Sequence, residues 1–252
     1  MNPVYGPIPS WRLGKSLGID PVCMNACTFD CVYCQLGPTA VKTMERKKFV
    51  EAASVEAQLE AALKKTAPDT ITFSGMGEPT LASNLGEIAA AVKKTSSVRM
   101  AILTNSSLLH MPEVREGLKE FGLVLAKLDA PNKELFEKIN RPVPGVTFER
   151  VLEGIRLMKK EFSGRLMLQM MFIDSNKGAA NEMAALAKGI NPEKVFLGTP
   201  TRPCGCKPLS PEEMGRIKEA FAGLDVSMVY DVEKPDTVPL DMGETRARRP
   251  PE

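Results

Sequence analysis

The chain is poor in histidine and in large aromatics: His110 stands alone, and Trp and Tyr number 1 and 3 among 252 residues. One histidine excludes multi-histidine zinc, copper and non-haem iron sites, although it leaves a Ser-His-Asp triad open. No apolar run approaches the roughly 18 residues of a membrane span. Residues Met1 to Ser16 lack the apolar core of a signal peptide, and a cytoplasmic location is expected. Neither sign of charge dominates: 33 Lys+Arg against 31 Asp+Glu leave +2, which neither announces nor forbids a polyanion-binding face. No Gly- or Ser-rich linker divides the chain. At 43% hydrophobic and 25% charged, it is neither a low-complexity disordered chain nor collagen-like, and it is long enough to bury a sizeable core.

What is present is a repeat of short apolar runs and helical stretches. Asp69 to Phe73, Val98 to Leu103, Leu123 to Leu128, Arg165 to Ile173 and Lys194 to Leu197 read as strands, with an earlier one near Leu17 to Val22. Their near-continuous apolar character fits strands covered on both faces of a parallel sheet. Helical patterns fall between them, over Ser54 to Lys65, Leu85 to Lys94, Pro112 to Phe121, Thr147 to Glu161 and Ala179 to Lys188. Ser210-Pro211-Glu212-Glu213 has the form of a helix start, with a cap, a proline and a glutamate in order. About six β-then-α units predict an α/β fold, a partial parallel (β/α)6 barrel. The expected division is an irregular segment over 1–16, a core over 17–222, and a carboxyl-terminal extension with a polar tail over 223–252. The last stretch, Thr245 to Glu252, is expected to fray.

The six cysteines are clumped: Cys23, Cys27, Cys31 and Cys34, then Cys204 and Cys206. Clumping in a cytosolic chain points to metal or redox chemistry rather than to disulfides. Cys27, Cys31 and Cys34 have the spacing C-x3-C-x2-C. Three thiolates suit an iron–sulfur cluster and leave one iron of a four-iron cluster without a protein ligand. The alternative is a zinc knuckle completed by Cys23. In parallel α/β folds ligands gather at the carboxyl ends of the strands. Those ends carry the cysteine loop, Gly75-Met76-Gly77-Glu78-Pro79, Asn105, Asp129 and Thr199-Pro200.

The cysteine motif, with Tyr33 before its last cysteine, resembles the radical S-adenosylmethionine (radical SAM) superfamily. Gly75-Met76-Gly77-Glu78-Pro79-Thr80 is similar to that superfamily's second-strand motif. Tyr5-Gly6-Pro7-Ile8-Pro9-Ser10, Arg12-Leu13-Gly14, Thr104-Asn105-Ser106, Leu128-Asp129-Ala130, Ile139-Asn140-Arg141-Pro142 and Thr199-Pro200-Thr201-Arg202-Pro203 resemble the wyosine-synthase-related branch. The likeness runs over roughly residues 5 to 222. It implies a barrel of the radical SAM type and an enzyme with two cofactors, a [4Fe–4S] cluster on Cys27, Cys31 and Cys34 and S-adenosylmethionine on the open iron. One electron, from a reducing partner such as flavodoxin or ferredoxin, would cleave the cofactor to a 5′-deoxyadenosyl radical that abstracts hydrogen from a substrate. By the same resemblance Glu78 accepts from the cofactor's amino group beside the backbone of Gly75 and Gly77. Asn105 and Asp129 bind the ribose, Lys127 or Arg202 faces the carboxylate, and Tyr33 packs near the adenine. Each has a plainer reading: Gly75 and Gly77 as a turn, Glu78 as a helix cap, Asn105 and Asp129 as loop formers.

Cys23, Cys204 and Cys206 depart from the branch pattern. They either ligate an auxiliary cluster or metal, supply a thiol hydrogen, or stand as plain turn residues. Arg246, Arg248 and Arg249 either touch RNA or are solvated. Six units leave a barrel laterally open, which favours RNA or a protein chain as substrate. A small metabolite is the alternative within enzymes, and a non-catalytic zinc or nucleic-acid-binding module is the alternative outside them.

Overall fold

Alternating strands and helices wind into one curled sheet with helices on its convex face. The computed structural model describes residues 1–250. In chain order the elements are β1 (Val4–Ser10), β2 (Gly14–Ile19), β3 (Ala26–Cys27), β4 (Val41–Lys42), α1 (Ala52–Leu63), β5 (Thr70–Phe73), α2 (Leu85–Thr95), β6 (Met100–Thr104) and α3 (Pro112–Leu118). There follow β7 (Leu123–Lys127), α4 (Lys133–Asn140), α5 (Phe148–Glu161), β8 (Arg165–Met171), α6 (Ala180–Ile190), β9 (Lys194–Gly198), α7 (Pro211–Ala220), β10 (Val226–Met228) and α8 (Met242–Arg248). The 8-stranded sheet runs β1-β2-β5-β6-β7-β8-β9-β10. Only β1 is antiparallel, paired with β2; every other neighbouring pair in this sheet is parallel. The fold class is the α/β half-barrel expected, with a parallel strand added at one edge and an antiparallel strand at the other.

Strand alternation sorts the residues between the two faces. Ile71, Phe73, Ile102, Val124, Leu168 and Val195 belong to the large core under the helices, where Leu59, Ile88 and Ile155 meet them. Leu125, Met167 and Phe196 belong to a smaller cluster with Leu13, Ala101 and Leu123. Continued to the carboxyl ends, this second face presents Lys127, Gln169, Met171 and Gly198 to the cavity described below. Alternation thus resolves Lys127, whose direction the sequence leaves open.

Several expectations are corrected. Residues 1–16 are not irregular: they hold β1 and the start of β2. Pro7, Pro9 and Gly6 disguise β1, yet proline is tolerated on an edge strand, and a bulge lies between Tyr5 and Ile8. The strand expected near Leu17 to Val22 ends at Ile19, because Asp20 Oδ1 accepts from the backbone N–H groups of Val22 (3.1 Å) and Cys23 (2.8 Å) and turns the chain. The stretch beginning at Thr245 does not fray at its start. It continues α8, and Arg248 is fully buried. Ser210 and Glu213 do form the reciprocal cap expected of α7.

The two chain ends meet at the sheet's edge. Leu240 N donates to Gly6 O (2.7 Å), and Gly6 N donates to Thr245 Oγ1 (3.2 Å). From α8, Arg248 Nε reaches Asp20 Oδ2 at 2.8 Å and Arg248 Nη2 donates to Asn2 O at 2.7 Å. The guanidinium also lies over the Tyr5 ring, 4.8 Å from its centroid.

Candidate active site

A cavity of about 290 Å³ opens at the carboxyl ends of the strands, and Cys27, Cys31 and Cys34 all border it. Burial pushes the Cys27 thiol up to about 12, helped by Glu78 and Cys31, and burial raises Cys31 as well. Buried neutral thiols are poor ligands, and it takes positive charge to make them thiolates. Hydrogen-bond donors already point at the sulfurs. Asn105 Nδ2 donates to Cys27 Sγ (3.4 Å), Phe29 N to Cys27 Sγ (3.5 Å), and Asn140 Nδ2 to Cys31 Sγ (3.4 Å). Such bonds steady cluster ligands and tune the metal. Among the described residues, no three or more His, Cys, Asp or Glu gather as they would around one metal ion. Gln169 Oε1 is a further sign of an occupant: it is buried on the cavity wall with no donor.

The glycine loop packs directly against the cysteine loop. A Cβ at Gly75 would lie 2.1 Å from the Asp20 carboxylate carbon, and one at Gly77 would lie 2.2 Å from Ala26 O. Any side chain would push the loops apart, so both glycines have a packing reason independent of a ligand. Glu78 borders the cavity but is fully engaged by the protein. Its Oε1 accepts from Thr80 N (3.1 Å), Thr80 Oγ1 (2.7 Å) and Thr104 Oγ1 (2.6 Å), and its Oε2 accepts from Asn105 N (2.7 Å). It is the cap of the 3-10 turn Pro79–Leu81, so the plainer reading of this residue is present in the structure. Burial raises its carboxyl even against these bonds.

Asn105 also borders the cavity, with its polar atoms turned to the cysteine loop and to Ser107 N. Asp129, expected at the ribose, is not on the cavity wall. It lies beneath Tyr33, accepting from the Tyr33 hydroxyl, from Asn140 Nδ2 (3.3 Å) and from Met171 N (2.8 Å). The loop after β7 turns this carboxylate inward, where it satisfies buried donors. Lys127 Nζ donates to Tyr33 Oη (2.9 Å) and stands 3.6 Å from Asp129 Oδ2. Burial alone would lower its ammonium, but Asp129 and the three thiols outweigh that and hold it above its usual range. Tyr33 and Arg202 also line the cavity.

The three remaining cysteines are not brought together. Cys23 Sγ contacts Asp20 O (3.2 Å) and Arg248 Nη2 (3.7 Å). Cys204 and Cys206 stand over the cysteine loop elsewhere, with Cys206 Sγ 3.5 Å from Val32 O. Arg248 is committed to Asp20 and is no surface cation for RNA. Sequence reasoning missed Trp11, Arg12, Gln169, Lys234 and Arg249 on the cavity wall. Only Arg12-Leu13-Gly14 carried a local signal, as part of a motif without an assigned role.

The model of the radical SAM superfamily matches residues 22–187, which include the cysteine loop and the Gly75–Glu78 loop. The chain belongs to the radical SAM superfamily. It is 41% identical over 215 residues to a UPF0026 protein of Synechocystis sp., covering 84% of this chain and 80% of that one. A UPF0026 protein of Methanocaldococcus jannaschii is 35% identical over 228 residues, covering 88% and 71%. Among solved structures, Streptococcus suis SuiB bound to precursor peptide SuiA superposes with a TM-score of 0.66 at 14% identity. SuiB bound to S-adenosylmethionine gives 0.65 at the same identity. The match takes in 85% of this chain and about half of SuiB, 48% and 50% in the two structures, and it establishes the half-barrel fold. As a radical SAM protein the chain is an enzyme, and the cofactors of its superfamily are a [4Fe–4S] cluster and S-adenosylmethionine. Among the described residues no helix is long and apolar enough to cross a membrane.

Proposed function

We propose that Cys27, Cys31 and Cys34 hold the cluster and that the enzyme acts on a small molecule. The supporting observation is the half-buried sulfur trio, which shares one cavity with the Gly75–Glu78 loop, Cys27 accepting from Asn105 and Cys31 from Asn140. When bound, the cluster and S-adenosylmethionine together supply a 5′-deoxyadenosyl radical that removes a hydrogen atom from the substrate. The chain's own task is to bind, orient and exclude water. Lys127, the cation whose charge is felt by all three thiols, is the fitting partner for the cofactor's carboxylate. The loop Gly75 to Glu78 offers its backbone to the amino group, and Glu78 holds that loop in shape. Tyr33, pinned between Lys127 and Asp129, offers a fixed ring to the adenine. The electron is proposed to come from a reducing partner such as flavodoxin or ferredoxin. The motif likeness supports a place beside the wyosine-synthase-related branch.

An open-sided barrel was the ground for expecting RNA or protein as substrate. Residues from the β1–β2 turn, Trp11 and Arg12, and from the carboxyl-terminal segment, Lys234 and Arg249, wall the cavity instead. A peptide is the second reading, favoured by the likeness to SuiB with its precursor peptide. The test is anaerobic: reduced protein with S-adenosylmethionine should release 5′-deoxyadenosine, and Cys31→Ala should abolish release. Full activity in that variant would refute the ligand assignment.

A further inference from the structure

The loop after β9 carries two thiols that the radical chemistry leaves unused. Residues 199–209 form a closed loop, its ends joined by Leu209 N donating to Thr199 Oγ1 at 2.9 Å. Its middle, Cys204-Gly205-Cys206, lies on the outside of the cysteine loop. Cys206 Sγ donates to Val32 O at 3.5 Å, and a Cβ at Gly205 would stand 2.8 Å from the same oxygen. Only glycine allows this approach. Val32 directly follows Cys31 in the chain, and Cys31, Val32, Cys204 and Cys206 pack together on Tyr33, Ile139 and Ile173. Two residues apart, the Cys204 and Cys206 Cα atoms lie within about 7 Å, close to the span of a disulfide. The chain also folds the sulfurs toward each other: Cys204 Sγ is 3.3 Å from Cys206 O and accepts from Cys206 N at 3.4 Å. Both thiols are half-buried and Gly205 is exposed, so a small solute can reach the pair. Among the described residues neither cysteine borders the cavity, and no third metal-binding side chain joins them. The pair is thus placed neither to quench a substrate radical nor to complete a metal site.

We propose that Cys204 and Cys206 form a thiol–disulfide site that reacts with a low-molecular-weight disulfide and governs how firmly the cysteine loop keeps its cluster. The second half rests on reading Cys27, Cys31 and Cys34 as the cluster ligands. One thiolate attacks a sulfur of the small disulfide, and a small thiolate leaves. The other cysteine then attacks the mixed disulfide and releases the second small thiol. One S–S bond is exchanged for another, and two electrons and two protons pass from the protein to the small disulfide. With both thiols reduced, Cys206 and Gly205 cover the Val32 carbonyl. Oxidation removes the S–H that bonds this oxygen and draws the Cys206 sulfur toward Cys204. The peptide next to a cluster ligand then loses its cover.

The test uses the full chain with its cluster reconstituted, equilibrated without oxygen against oxidised glutathione. Peptide mapping of the folded wild type should show a Cys204–Cys206 disulfide that dithiothreitol reverses. Iron release to a ferrous chelator should then be about threefold faster, the effect of one weak hydrogen bond lost, and should return to its starting rate on reduction. The double variant Cys204→Ser/Cys206→Ser should release iron at one rate with or without glutathione, and circular dichroism checks that it folds. Three outcomes overturn the proposal. They are no Cys204–Cys206 disulfide in the wild type, a disulfide that leaves iron release unchanged, or a double variant that responds to glutathione as the wild type does. Failure of the cluster reading is a separate result: reconstituted wild type would hold no iron–sulfur cluster, while mapping would still report whether the disulfide forms.

Discussion

Glu78 is the residue on which two loops depend. Thr80, Thr104 and the backbone of Asn105 all donate to it, and Asn105 in turn donates to Cys27. Removing the carboxylate leaves buried donors unmet, at about 1–3 kcal/mol each. Glu78→Ala should therefore lower stability by about 3 kcal/mol in denaturant titration. It should also reduce iron retention together with cofactor affinity; loss of cofactor affinity alone would make Glu78 a ligand and nothing more. Cys23 illustrates the opposite case, a cysteine with no metal partner near it. Burial, reinforced by Asp20, raises its thiol to about 11, so at pH 8 about one in a thousand is thiolate. Alkylation of the folded protein at pH 8 should spare Cys23 while unfolded protein is modified throughout. Rapid labelling of Cys23 in the folded chain would contradict this.

At the scale of elements, α8 is fastened to the cysteine loop by one buried ion pair. Arg248 and Asp20 are 0% and 1% exposed at the side chain, and Asp20 also accepts from Val22, Cys23 and Met76. Breaking a buried pair by removing one partner costs about 3–5 kcal/mol. Arg248→Ala should show a loss in that range on unfolding and should loosen the Gly75–Gly77 loop, read as faster amide exchange at Met76. No change at Met76 would confine Arg248 to a local role. Strands β5 to β9 were legible because each is a largely apolar run bounded by turn residues, whereas β2, with Gly14-Lys15-Ser16 at its start, was legible only in its second half. Before them, β1 was hidden by its prolines, and β10 by having only three residues. The cysteine and glycine motifs were legible because they are contiguous. Arg12, Gln169 and Arg249 were not, because only the curl of the sheet and the return of α8 bring them to the cavity. Asp129 reads as a strand-end ligand in sequence, but its buried donors are contributed by residues 11 to 96 positions away.

For the molecule as a whole, the curled sheet, the convex helices and the two joined chain ends serve one arrangement: a walled cavity with three sulfurs on one part of its wall and cations from distant segments on another. The proposal that these sulfurs hold a four-iron cluster with an iron left for S-adenosylmethionine is the claim from which the substrate argument follows. Electron–nuclear double resonance on the reduced protein, with S-adenosylmethionine labelled with ¹⁵N in its amino group, tests it most directly. A resolved nitrogen coupling to the cluster is expected. A reduced cluster that shows no such coupling while the labelled cofactor is bound, or a preparation that holds zinc and no cluster signal, would contradict it.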